Sequence, residues 1–141
     1  MAISSALCAS FKLELLQAIH DFTTDTFMMA LYDASTASLD GTTTAYTATG
    51  EVAGVGYAPG GVAVAVSTGW PALFGQAFAG CRFEDAVWMP SSIAADGALV
   101  YNASKANRAV AVLAFPARRT SITNTFRVRF PPSLDPIVSL K

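Results

Sequence analysis

The only histidine of the chain, His20, stands beside Asp21 and five residues before Asp25. A histidine with a carboxylate nearby is the pairing that general acid–base chemistry uses. A nucleophile that would complete a hydrolase is missing. No G-x-S-x-G turn occurs, and spacing sets neither Cys8 nor Cys81 beside His20. The plainer reading puts His20 at the turn that closes the N-terminal segment, with Asp21 or Asp25 capping backbone amides. One histidine without a spaced partner supplies too few ligands for a metal. No catalytic residue, metal or cofactor is therefore assigned; the chain reads as a non-enzyme, and a small hydrolase is the least favoured alternative.

Other chemistry-bearing groups fare no better. Gly54, Gly56, Gly60 and Gly61 in EVAGVGYAPGG superficially resemble a phosphate loop, but a dinucleotide fingerprint must follow a strand and open a helix. Here Pro59, Gly60 and Gly61 lead into a run of valines, which predicts a tight turn with Tyr57 packed over it. Glu14, Glu51 and Glu84 show no spacing that brings two carboxylates to the roughly 5 to 9 Å that glycoside hydrolysis needs. Arg118, Arg119, Arg127 and Arg129 form a basic strip, yet the net charge of −1 opposes nucleic acid, whose affinity comes mainly from phosphate neutralisation. These arginines are expected to pair with carboxylates across a protein interface.

The elements that would hold these residues are mostly strands. Thr26 to Tyr32 is apolar on both faces and should be interior. Gly61 to Ser67 sets Val62, Val64 and Val66 on one side and Ala63, Ala65 and Ser67 on the other. Ala109 to Phe115 is continuously apolar, the pattern of a central strand. Thr125 to Phe130 turns Phe126, Val128 and Phe130 inward and Arg127 and Arg129 outward. Weaker strands are predicted at Thr43 to Thr49, Gly80 to Val87, Gly97 to Asn102 and Ile137 to Leu140. About eight short strands suit an antiparallel β-sandwich of the jelly-roll kind. Near the start, Phe11, Leu15 and Ile19 recur at helical spacing while Phe11, Leu13 and Leu15 also alternate at strand spacing. A short N-terminal helix is the favoured of the two.

With 141 residues, the chain suits one mainly β domain, preceded by an arm over about residues 1–10. Apolar residues make up 52% and charged residues only 13%, against about 25% in a typical soluble domain. No apolar run reaches the roughly 18 residues that a membrane span needs. MAISSALCASFK lacks the positive start of a secretory signal, so the chain is expected to be made and kept without export, with no membrane partner. The deficit of charge points instead to surfaces covered by neighbouring subunits. Residues 1–70 hold one cation against six anions, and residues 71–141 hold eight cations against four anions, a polarity able to steer partners into register. Two cysteines far apart write neither a zinc cluster nor a disulfide framework: Cys81 reads as a core residue, Cys8 as a free thiol. The interface residues expected from this reading are Arg118, Arg119, Arg127 and Arg129, with Ala2, Ile3 and Leu7 of the N-terminal arm lying along a neighbour.

Four segments carry a resemblance: FKLELLQAIHDFTTDTFMMALYD (Phe11 to Asp33), TTAYTATGEVAGVGYAPGGVAV (Thr43 to Val64), GALVYNASKANRAVAVLAF (Gly97 to Phe115) and TFRVRFPP (Thr125 to Pro132). In that order they resemble a group of small virion structural proteins of tailed bacteriophages, with Met28 where a lysine is common and Gly50 where an asparagine is common. The resemblance implies a particle component without enzymatic activity, most readily a head decoration or cement protein of jelly-roll fold. Its partners would be the major capsid protein and further copies of itself, as a dimer or trimer. A tail, collar or baseplate component is the alternative. The implied location is the capsid surface, after synthesis in the host bacterial cytoplasm.

Overall fold

Segments rich in β-branched and aromatic residues pair into antiparallel sheets, and a single short helix covers one part of them. The computed structural model describes residues 2–67, 79–129 and 138–140, with the side chains of 67, 79–82 and 138–140 left aside. The elements are β1 (Ala6–Leu7), α1 (Ala9–Leu16), β2 (Phe27–Tyr32), β3 (Val62–Val64), β4 (Val66–Ser67), β5 (Ala79–Phe83), β6 (Ala86–Ser91), β7 (Ala94–Asn102), β8 (Arg108–Thr120), β9 (Asn124–Val128) and β10 (Val138–Leu140). Among the described residues they form a five-stranded sheet in the order β1-β8-β7-β2-β3, a three-stranded sheet β10-β5-β4 and the pair β6-β9. Among the described residues the protein is thus mainly β, with antiparallel sheets and one short helix, and no barrel closes.

β2 is interior as its two apolar faces require: Phe27, Met29 and Leu31 point one way and Ala30 and Tyr32 the other, all buried. The central place in the large sheet belongs to β7, which pairs with β2 from Phe27↔Asn102 to Tyr32↔Gly97 and with β8 on its other side. Residues Ala109 to Phe115 lie in β8, an inner strand between β7 and β1, with Ala109 to Val112 buried as expected and Leu113 to Phe115 half-buried. They are continuously apolar because the N-terminal segment and α1 cover what β7 does not. In β9, Phe126 and Val128 are buried and Arg127 and Arg129 exposed, as alternation requires; Phe130 lies outside the described residues, as do Trp70 and Pro71.

Two further expectations change. Thr43 to Thr49 forms no strand; its contact with the sheet is an isolated bridge from Ala45 to Arg108. Side chains hold that loop instead: the Tyr32 hydroxyl donates to the Thr47 carbonyl at 2.7 Å and the Tyr46 hydroxyl to Glu51 Oε2 at 2.6 Å. Gly80 to Val87 is broken at Glu84 and Asp85 into the end of β5 and the start of β6. The valine run after Gly61 also divides, because at Ala65 the chain leaves the large sheet for the three-stranded one, and the Ala65 carbonyl accepts the Glu84 amide at 2.8 Å.

The N-terminal segment is tied to its own chain at several points. Ile3 bridges Leu39, Ala6 and Leu7 pair with Val112 and Ala111, and Ser5 Oγ accepts the Ala114 amide at 2.8 Å. Ile3 and Leu7 are half-buried there, while Ala2 stays exposed. A two-stranded attachment this short gains its hold from the serine and the Leu39 bridge as much as from the ladder.

The glycine-rich loop is a turn, as expected, with Tyr57 folded over it. Gly61 has φ +84°, and a Cβ there would collide with the Met29 carbonyl oxygen. Left-handed backbone costs a residue with a Cβ about 1 to 2 kcal/mol, and β2 cannot retreat because it is packed on both faces. Gly61→Ala should therefore lower the free energy of unfolding by more than about 2 kcal/mol in urea titrations. Unchanged stability would mean that β2 and the turn are not in this contact.

Candidate functional site

The single histidine becomes the centre of a buried polar network once the chain folds. α1 brings Phe11 and Glu14 inward; after its last turn Ala18 takes φ +58°, which bends the chain back so that His20 comes under the helix. Amides of Gln17, Ala18 and Ile19 bond to carbonyls of residues 13–15 and hold that reversal. The imidazole packs against the Phe11 ring with centroids 4.8 Å apart. Its Nε2 lies 2.9 Å from Glu14 Oε1 and its Nδ1 lies 3.0 Å from Asn102 Nδ2, at the end of β7.

Asn102 fixes the direction of these bonds. Its Oδ1 accepts the Ser104 amide at 3.0 Å, so its Nδ2 is the group that donates, to His20 Nδ1 and to Asp25 Oδ2 at 2.7 Å. With Nδ1 accepting, the ring proton sits on Nε2 and is donated to Glu14. A carboxylate–imidazole dyad is present, as in a catalytic base. Both ring nitrogens are occupied and the His20 side chain has no exposed surface, so the dyad is closed to any substrate. The plain reading of the sequence holds: Asp21 and Asp25 cap local amides, through Thr23 N to Asp21 Oδ1 and Asp21 N to Asp25 Oδ2, each 2.9 Å.

The network ends on cations from the β7 to β8 turn. Arg108 Nη1 donates to Glu14 Oε2 at 2.7 Å and Lys105 Nζ to Asp25 Oδ1 at 3.0 Å. Burial pushes the Glu14 carboxyl up, but hydrogen bonds from His20 and Arg108 outweigh it and hold the group below its usual range. Asp25 behaves alike: burial opposes ionisation, and bonds from Asn102, the Asp21 amide and Lys105 prevail. Sequence spacing missed this cluster because its members span residues 14 to 108. The one local signal was a glutamate in FKLELL at the helical position of the core.

A second carboxylate, half-buried, is held by three donors. Glu51 accepts the hydroxyls of Tyr46 and Tyr57 at 2.6 Å and the Gly60 amide at 2.7 Å. Its hydrogen bond pushes Tyr46 up to about 12, and burial first, then Glu51, lifts Tyr57 far above the usual tyrosine range. Cys8 is a free thiol, as expected, but a buried one. Burial, reinforced by Asp40 and Glu14, pushes it up to about 11, the opposite of an activated nucleophile. The side chain of Cys81 lies outside the described residues. Among the described residues, no cluster of His, Cys, Asp and Glu has the form of a metal site.

The arginines expected to reach across an interface divide. Arg118 is bound within its own chain, by Nη1 to Asp96 Oδ2 at 2.6 Å and Nη2 to Asp33 Oδ2 at 3.0 Å. It lies in a bulge where β8 advances from Ala114 to Arg119 while β7 advances only from Gly97 to Ala95. Arg127 Nη1 lies 3.6 Å from Asp85 Oδ2. Arg119 and Arg129 stand exposed with no ion pair among the described residues. The opposite charges of the chain's two halves meet inside the fold: Glu14 with Arg108, Asp25 with Lys105 and Asp33 with Arg118. That accounts for much of the polarity the sequence suggested for steering.

Large apolar side chains stay open as well. Leu13 and Leu16 on α1 are 57% and 86% exposed, and Val55, Met89 and Ile122 are 73%, 71% and 78% exposed. The last three flank one junction: Val55 bridges Ser92, Met89 precedes Pro90, and Ile122 precedes Thr123, whose amide bonds Ser92 Oγ at 2.9 Å. Fold and site together define a mainly β protein whose titratable clusters face inward and whose open groups suit contact. No family model, curated protein or solved structure matches the chain, so the likeness to phage virion proteins stands on the four segments alone.

Because Glu14 and Asp25 ionise below their ordinary 4.5 and 3.8, the folded state binds fewer protons there than the unfolded chain. Their stabilisation is complete above about pH 4.5 and is lost as pH falls through the depressed folded values. Urea midpoints should be level from pH 5 to neutrality and drop in acid. Glu14→Gln should cost about 1 to 3 kcal/mol at pH 7 and flatten the acid limb. A variant with the wild-type acid limb would remove Glu14 from this role.

Proposed function

We propose that the chain is a non-enzymatic structural protein of a tailed-bacteriophage particle, a decoration or cement protein that binds the outside of the head and secures contacts between major capsid subunits. The arrangement of its antiparallel sheets as a jelly-roll-like sandwich belongs to the same proposal. The four segments quoted above supply the word phage. The observation that carries the assembly reading is the exposure of five large apolar side chains, in two places, by a chain with 13% charged residues. Monomers rarely leave extended apolar surface bare, whereas interface cores are depleted of charge.

The mechanism is mechanical. Each copy buries part of its apolar surface at a joint between shell subunits, and the added area opposes the outward pressure of packaged DNA. Contacts too weak to hold one copy suffice when repeated across a shell.

Particles assembled without the chain should release DNA to nuclease at a lower temperature than complete particles, and purified chain added back should restore the difference. Gold-labelled antibody should mark heads. Label on tails, with head stability unaffected, would transfer the protein to the tail or baseplate.

A further inference from the structure

α1 is packed with its glutamate inward and its leucines outward. At 100° per residue, the buried Phe11 and Glu14 lie on one side with the half-buried Leu15. The opposite arc runs Lys12, Leu16, Ala9, Leu13, Gln17, all exposed. Ala9, Leu13 and Leu16 are spaced i, i+4, i+7, the pattern by which a helix lays an apolar face into a groove. The helix has no freedom to turn this face inward. Rolling it would pull Glu14 off His20 and Arg108 and leave those partners unpaired.

Two observations identify the occupant. Eight residues of helix are about 12 Å long and about 10 Å across, so one face covers on the order of 120 Å², far short of the roughly 800 Å² per partner that a stable, isolated dimer buries. A face this small fits a site repeated many times on a larger assembly. Its charge is also one-sided: Lys12 is the ionised group on the exposed arc, and the helix's only carboxylate is buried. A second copy docked by the same face brings lysine without a carboxylate to meet it.

We propose that this face of α1 is the docking element, inserted into an apolar groove with an acidic rim on the major shell protein. The proposal rests on the capsid-binding reading above and names the surface used. Leu13 and Leu16 anchor the contact, Ala9 permits close approach of the helix backbone, and Lys12 pairs with the rim.

The test is co-sedimentation of purified chain with heads assembled without it. Wild type should bind saturably, and Leu13→Glu with Leu16→Glu should lose at least tenfold in affinity. Leu16→Gln alone, at the most exposed position, should lose severalfold and serves if the double variant misfolds by circular dichroism. Lys12→Glu should weaken binding and abolish its decline with added salt. Helix variants that bind heads as wild type does would overturn this proposal and leave the capsid reading intact. Failure of wild type itself to bind heads would remove both. A wild-type oligomer in sedimentation that the helix variants convert to monomer would assign the face to a second copy and overturn the proposal.

Discussion

Burying Glu14 decides which way α1 faces. A carboxylate taken out of water is costly unless it is paired and hydrogen-bonded, and this one obtains the His20 ring on one oxygen and the Arg108 guanidinium on the other. Those partners come from the loop after the helix and from the first residue of β8, so the bond set joins three parts of the chain. Asn102, holding His20 and Asp25 at once, extends it to the central strand. The aromatic layer beneath is consistent with that anchorage: Phe11 meets Phe22 edge-on, and Phe22 stacks on Phe27 of β2 at 4.8 Å. With the acid inside, the leucines at the neighbouring helical positions are left outside.

The Glu51 cluster applies the same principle to a loop. Residues 43–61 have little ladder bonding, and a segment without it must satisfy its backbone elsewhere. Tyr46 and Tyr57 converge on one carboxylate, the Leu31 amide bonds the Tyr57 hydroxyl at 3.0 Å, and Tyr101 reaches the Gly60 carbonyl at 2.6 Å. The loop is thereby stitched to β2 and β7, which lets it cross the sheet as irregular backbone. With Tyr32, whose hydroxyl donates to the Thr47 carbonyl, these three tyrosines act through their polar ends as much as through their area.

Legibility tracked how local each determinant was. β2 and β9 were readable because two-residue alternation and double-sided apolarity are properties of six or so neighbouring residues. The α1 helix was readable as spacing but not as orientation, since Leu13 and Leu16 look like core and Glu14 looks like surface until Arg108 and His20 are placed. Thr43 to Thr49 has strand-forming residues, yet its hydrogen bonds go to tyrosines and a glutamate that no local window contains. The arginines followed the same rule. Arg127 and Arg129 were correctly set on an outer face by alternation. Arg118 has same-chain partners, Asp33 and Asp96, that lie 85 and 22 residues away, beyond any local window. The exposed Leu13 and Leu16 were not among the residues expected at an interface, which were Arg118, Arg119, Arg127, Arg129, Ala2, Ile3 and Leu7, because helical spacing alone does not tell a bare face from a buried one.

The distance along the chain between Glu14 and its guanidinium has a consequence for how the molecule is born. The two residues are 94 positions apart, an interval that a ribosome takes roughly 5 to 20 s to traverse. Throughout that time the glutamate lacks its strongest counter-charge, and β1 lacks the strand it will lie beside. The nascent amino-terminal stretch is free to bury its leucines and leave its acid in water. The bond set that holds Glu14 inward thus cannot be complete until Arg108 has emerged.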